Sequence, residues 1–212
     1  MICVSIAENT VERCLSSLEG IDFAEIRLDA LKTDRAGVQS VFSRHRRLIA
    51  TCRPGEKSEE ERKTLLITAI EAGAAYVDIE VESNDGYRKT IVRKAISNRC
   101  CVIMSYHNYQ KTPSMEKLKQ YVNLCFDSGA EIAKIACTSH SPRENARLLG
   151  LLQEDRPVIP VGMGKKGAIT RIVAPFLGSP FTYASRALGR ETAPGQLDYV
   201  KLKNIMETLN HA

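Results

Sequence analysis

A lysine and a histidine placed within apolar runs are the residues of this 212-residue chain best suited to covalent and proton-transfer chemistry. Lys134 stands in Ile132-Ala133-Lys134-Ile135-Ala136, and His107 closes Ile103-Met104-Ser105-Tyr106-His107. A neutral lysine amine can add to a ketone and condense to a Schiff base, whose protonated form acts as an electron sink. The reference pKa of lysine is about 10.4, so holding the amine neutral at pH 7 costs roughly 4 to 5 kcal/mol. Arg27, Arg53 and a protonated His107 are the cations expected to lower that cost, helped by partial desolvation. His107 titrates near neutrality and is the candidate general acid and base. The plainer alternatives are a lysine snorkelling to the surface and a structural histidine bonded to backbone.

Charged residues recur at alternate positions of the same kind of run. Side chains alternate across a strand, so Glu25, Arg27 and Asp29 share one face while Ala24, Ile26 and Leu28 share the other. Arg53 likewise shares a face with Thr51, Asp78 with Glu80, and His107 with Ser105. If the apolar faces meet helices, the polar faces converge on a common axis, where unpaired charge is expensive. Convergence from five strands favours a catalytic cluster over a purely structural ion-pair network.

The runs that carry these residues number eight: Ile2–Ala7, Phe23–Asp29, Leu48–Arg53, Tyr76–Val81, Cys100–His107, Ile132–Cys137, Val158–Met163 and Phe181–Ser185. Helical periodicity lies between them, as in Thr10–Leu18, Glu59–Glu71, Met115–Ser128 and Pro142–Gln153, and a last helix, Asp198–Asn210, follows the eighth strand. Ser141-Pro142 reads as an N-cap followed by proline at the first helical position, and Gly73, Gly129 and Gly178 stand where helices should end. Eight strands alternating with helices predict a single (β/α)8 TIM barrel over residues 1–212, the charged residues lying toward the C-terminal strand ends where such barrels build their sites. A doubly wound sheet would announce a glycine-rich turn after its first strand, and Ile6-Ala7-Glu8-Asn9-Thr10 has none. The barrel is expected to start directly at the first strand, without an N-terminal hairpin extension.

Composition removes other classes. The net charge of +5 is dispersed and mixed with acids, which suits a solvated surface and a small anionic ligand rather than nucleic acid. The apolar runs are too short for a membrane span, and no secretory leader is recognised. Seven cysteines without a Cys-x-x-Cys pair fit a reducing cytoplasm and argue against zinc.

Taken in order, Glu25-Ile26-Arg27-Leu28-Asp29, Thr51-Cys52-Arg53, Asp78-Ile79-Glu80, Ser105-Tyr106-His107, Ala133-Lys134-Ile135, Met163-Gly164 to Arg171 and Ala193-Pro194-Gly195-Gln196 closely resemble the type I 3-dehydroquinate dehydratases. The resemblance spans essentially the whole chain. It implies a cytoplasmic, homodimeric lyase of the shikimate pathway of aromatic amino-acid biosynthesis, needing neither metal nor organic cofactor. Lys134 would form an imine with the C3 ketone of 3-dehydroquinate. His107 would remove the C2 proton and help protonate the departing C1 hydroxyl. Ser5, Glu25, Arg27, Arg53, Arg171, Thr192 and Gln196 would bind substrate, with Arg171 on the carboxylate. The segment Arg190-Glu191-Thr192-Ala193-Pro194-Gly195-Gln196 would close as a lid. Two departures stand out. Thr192 replaces a common serine, and Pro54-Gly55-Glu56-Lys57-Ser58-Glu59 replaces an acid followed by two glycines. The acidic partner of His107 is therefore open, with Glu56 ahead of Glu80. Competing readings are a Schiff-base aldolase of a sugar phosphate and a non-catalytic barrel that binds a small acid.

Overall fold

A computed structural model describes residues 1–210, so positions 211 and 212 of the expected barrel span lie outside the described residues. The first half of the chain runs β1 (Ile2–Ile6), α1 (Val11–Leu18), β2 (Ala24–Arg27), α2 (Arg35–Phe42), β3 (Leu48–Thr51), α3 (Glu59–Glu71), β4 (Tyr76–Glu80) and α4 (Asp85–Ser97). The second runs β5 (Cys101–Asn108), α5 (Met115–Asp127), β6 (Ile132–Thr138), α6 (Pro142–Leu149), β7 (Val158–Met163), α7 (Ala168–Val173), β8 (Thr182–Ser185) and α8 (Tyr199–Asn210). All the strand pairs are parallel, in the order β7-β6-β5-β4-β3-β2-β1-β8. This is the nearly closed (β/α)8 TIM barrel that the alternation predicts.

Among the described residues no ladder joins β7 to β8, and the sequence of β7 accounts for that seam. Gly162 gives its backbone N–H to Thr170 Oγ1 at 2.7 Å, so the seam-facing amide is used by α7. Pro160 shares its parity and has no N–H to offer, which is tolerable only at such an edge.

Helix starts are secured by side chains that accept from unpaired first-turn amides: Thr10, Asp34, Asn84, Ser114 and Ser141, with a full capping box between Ser58 and Glu61. Gly73, Gly129 and Gly178 all adopt positive φ at the expected ends. The stretch expected as one helix over Pro142–Gln153 divides into α6 and a 3-10 turn, Gly150–Gln153. Several strands stop short of their apolar runs. Asp29 and Arg53 thus fall just beyond the ladders of β2 and β3, in the loops above the barrel.

Two apolar layers lie on either side of the sheet. Outward-facing Val4, Ile26, Ala50, Val77, Met104 and Ile135 pack against helices. Inside the barrel, Cys3, Ile49, Ile103, Ile132 and Ile159 form a lower layer above an aromatic floor, in which Phe23 meets Phe181 edge-on at 4.9 Å and Tyr76 at 5.5 Å. The interior is thus filled from below by apolar groups, leaving its polar residues at the C-terminal end. Six cysteines are buried and Cys101 is half-buried; burial pushes the thiols of Cys14, Cys52, Cys100, Cys101, Cys125 and Cys137 up to about 12. No described helix is long and apolar enough to cross a membrane.

Candidate active site

The inward parity of the strands gathers the singled-out side chains around one cavity of about 110 Å³. Ser5, Glu25, Arg27, Arg53, His107, Lys134, Arg171, Thr192 and Gln196 all line it. Lys134 is 6% exposed, and its Nζ donates to Asp78 Oδ2 at 2.9 Å and lies 3.6 Å from Glu25 Oε1. Arg27, Arg53 and His107 were the charges expected to act on this amine, but the groups in contact with its Nζ are two carboxylates. Both carboxylates face the position that the positive charge of a protonated imine would occupy.

Arg53 organises those carboxylates. Its Nη1 donates to Asp78, Glu80 and Ser105 at 2.9 Å each, and its Nη2 donates to Asp78 Oδ2 at 2.6 Å. Burial alone would raise the Asp78 carboxyl, but Arg53 and Lys134 outweigh it and hold the group well below its usual range. Glu25 follows the same logic, burial being overcome by Lys134, Arg53 and Arg27. Its oxygens accept from the Ser5 hydroxyl and, at 2.9 Å, from Thr51 Oγ1. Arg27 lies higher and is engaged by Asp29 through Nε and Nη2 at 3.0 and 2.7 Å.

His107 Nδ1 lies 3.0 Å from Glu80 Oε2. Glu56, placed ahead of Glu80 at the sequence level, is exposed and makes no such bond; the strand carboxylate two residues after Asp78 reaches the ring instead. A carboxylate at Nδ1 selects the Nδ1–H tautomer and leaves Nε2 as the basic nitrogen, which no hydrogen bond among the described residues engages. Burial lowers the imidazole pKa, Arg53 lowers it further, and the Glu80 hydrogen bond only partly restores it. The ring is therefore predominantly neutral at pH 7. Tyr109 stacks nearly parallel to it, with centroids 6.0 Å apart.

Arg171, from α7, is 2% exposed, and its Nε and Nη2 have no hydrogen-bond partner. Burial without a paired anion lowers its pKa to about 10. A buried guanidinium without a counter-ion, beside a cavity, suits a bidentate anion. Above it, Thr192 donates from N and Oγ1 to Gln196 Oε1 at 2.8 and 3.2 Å. The loop bearing them is seated on the β7–α7 turn, where Gly164 N donates to Pro194 O at 3.0 Å. Gly195 is needed there, since its φ is +75° and a Cβ would stand 2.2 Å from Gly164 O. The Gly162–Gly167 segment closes on itself through Gly167 N to Gly164 O, consistent with a βα loop rather than a phosphate cradle. Sequence reasoning missed Asp78 as the lysine's partner, and it missed Tyr183. Strand parity places Asp78 inside the barrel and could have placed Tyr183 there, but it carries no information about contacts.

The sequence profile of type I 3-dehydroquinase matches residues 2–212. A 3-dehydroquinate dehydratase of Methanocaldococcus jannaschii is 33% identical, with 99% of each chain covered. One from Dehalococcoides mccartyi is also 33% identical, over 99% of this chain and 96% of its own. The crystal structure of type I 3-dehydroquinate dehydratase from Clostridium difficile, with covalently modified comenic acid, superposes with a TM-score of 0.87 at 25% identity, covering 99% of this chain and 92% of that one. With the profile matched across nearly its full length, the chain belongs to the type I 3-dehydroquinase family.

Proposed function

We propose that this lyase dehydrates 3-dehydroquinate to 3-dehydroshikimate through a Schiff base on Lys134, with His107 moving the proton. The Lys134 amine, in its uncharged form, attacks the C3 ketone, and the resulting carbinolamine takes up a proton and loses water to give a protonated imine. The positive charge then reappears at Nζ, facing Asp78 and Glu25. His107 Nε2 removes a proton from C2, and the electron pair enters the imine as an enamine. Collapse of the enamine expels the C1 hydroxyl, which takes the proton held by His107 and leaves as water. Hydrolysis of the product imine frees Lys134. The imine is the electron sink, so these steps call for no added group.

Arg171 would hold the ring carboxylate, while Ser5, Glu25, Arg27, Arg53, Thr192 and Gln196 supply donors and acceptors for the hydroxyls. The single observation that carries the reading is one cavity lined by a buried lysine, a carboxylate-bound histidine and a guanidinium without a partner. The test is enone ultraviolet absorbance on mixing the purified protein with 3-dehydroquinate, followed by borohydride during turnover and peptide mapping. A stable adduct on Lys134, and loss of turnover in Lys134→Ala, are expected. Undiminished turnover in that variant refutes the mechanism. The family reading extends to a homodimer in the cytoplasm, checked by light scattering and by fractionation.

A further inference from the structure

Five buried side-chain nitrogen or oxygen atoms among the described residues lack a hydrogen-bond partner, and three of them belong to Arg171 and Tyr183, which line the same cavity. Tyr183 lies on β8, its parity shared with Phe181 in the aromatic floor and Ser185 above. It is 3% exposed, so its unpartnered hydroxyl is turned inward rather than to bulk water. Burial, reinforced by Glu25 and Asp78, keeps the phenol pKa well above its ordinary value, which leaves the group a donor at any working pH.

Nearby acceptors are already occupied. Glu25 takes Ser5 and Thr51, and Asp78 takes Arg53, Ser105 and Lys134. What remains is two guanidinium nitrogens and one phenol O–H with nothing to receive their hydrogens. Such a set suits an anion with two oxygens.

We propose that Tyr183 is a substrate-binding residue, its hydroxyl joining Arg171 as a further donor to the substrate's ring carboxylate. The inference rests on the substrate reading above and deepens it. The same side chain also touches the reacting end, because Lys134 Nζ lies 4.1 Å from its ring centroid. One rigid ring therefore spans from the carboxylate clamp to the amine. It sets the distance at which a ketone must stand from a carboxylate to be accepted, so ketones lacking that carboxylate are excluded.

Tyr183→Phe removes the hydroxyl and keeps the ring face under the amine. Calorimetric titration uses two ligands: the substrate analogue with its ketone reduced to an alcohol, which forms no imine, and the carboxamide of that analogue. Wild-type protein is expected to prefer the carboxylate. Tyr183→Phe should lose about tenfold or more in affinity for it, as expected for one hydrogen bond to a charged group, while changing little toward the carboxamide. Borohydride should still label Lys134 of the variant at saturating substrate. Affinity for the carboxylate within about twofold of wild type, or equal losses on both ligands, overturns the assignment. If wild-type protein binds neither ligand, the substrate reading itself fails and takes this inference with it.

Discussion

Replacing Glu80 by glutamine removes one negative charge from between His107 and Arg53 while keeping the side chain's length and one acceptor oxygen. In the proposed reaction the imidazole becomes an imidazolium when it takes the C2 proton, and its Nδ1–H then donates to Glu80 at the 3.0 Å separation already present. A hydrogen bond to a charged group is worth about 1.5–3 kcal/mol and a neutral one about 0.5–1.5. The substitution therefore withdraws about 1–2 kcal/mol from the imidazolium, a loss of roughly 5- to 30-fold in proton transfer. The assay is kcat/KM from enone formation across pH. Burial and Arg53 depress the wild-type imidazole and Glu80 opposes them, so removing that carboxylate moves the acid limb to lower pH while the plateau falls. Stability has a matching sign. A depressed imidazole binds fewer protons in the folded than the unfolded state, so stability is lost as pH falls from about 6.5 to the folded value. Glu56→Gln, at an exposed carboxylate, is the control and should stay within about twofold. An acid limb that moves upward, or a larger loss in Glu56→Gln than in Glu80→Gln, would refute the reasoning.

Two other substitutions probe binding and the seating of the loop bearing Thr192 and Gln196. Arg171→Met should raise KM at least about a hundredfold by deleting a bidentate carboxylate contact, yet raise folding stability by about 1–3 kcal/mol because an unpartnered buried group is removed; urea denaturation showing a less stable variant would contradict this. Gly195→Ala forces a side chain against Gly164 O at positive φ, a penalty of about 1–2 kcal/mol or more on seating the loop. It should lower kcat/KM about 5- to 30-fold and speed proteolysis within residues 189–195, with turnover and cleavage both at wild-type rates as the contrary result.

Much of the fold could be read from the chain because barrel strands carry two independent signals. Ala24, Ile26 and Leu28 alternate with Glu25, Arg27 and Asp29, so orientation follows from parity alone, and caps such as Ser141-Pro142 mark the helix starts. Contacts inside the barrel are harder to read. Parity says that Asp78, Glu80 and Lys134 face inward, but not their heights. Lys134 is level with Ser105, and Ser105 with Glu80, yet the long lysine side chain meets Asp78, two residues lower on its strand. Parity does not reveal that lean, so the two carboxylates that hold the amine were not foreseen as its partners. The partner of His107 failed for a similar reason: Glu56 was favoured by its place after Arg53, whereas Glu80 reaches the ring from the neighbouring strand. Tyr183 sits in a run that reads as ordinary strand, and only its lack of a partner distinguishes its hydroxyl.

The thiols supply a readout of whole-molecule opening. With pKa values near 12, six of the seven would be thiolate only on the order of once in ten thousand molecules at pH 8, whereas an unfolded cysteine ionises readily there. An alkylating reagent should therefore ignore the native protein and modify many sulfurs at each excursion to the open chain, so its rate measures how often the barrel comes apart. A cysteine placed at Leu188, which is 87% exposed, would accept a fluorophore selectively beside the loop bearing Thr192 and Gln196 without first removing the native thiols.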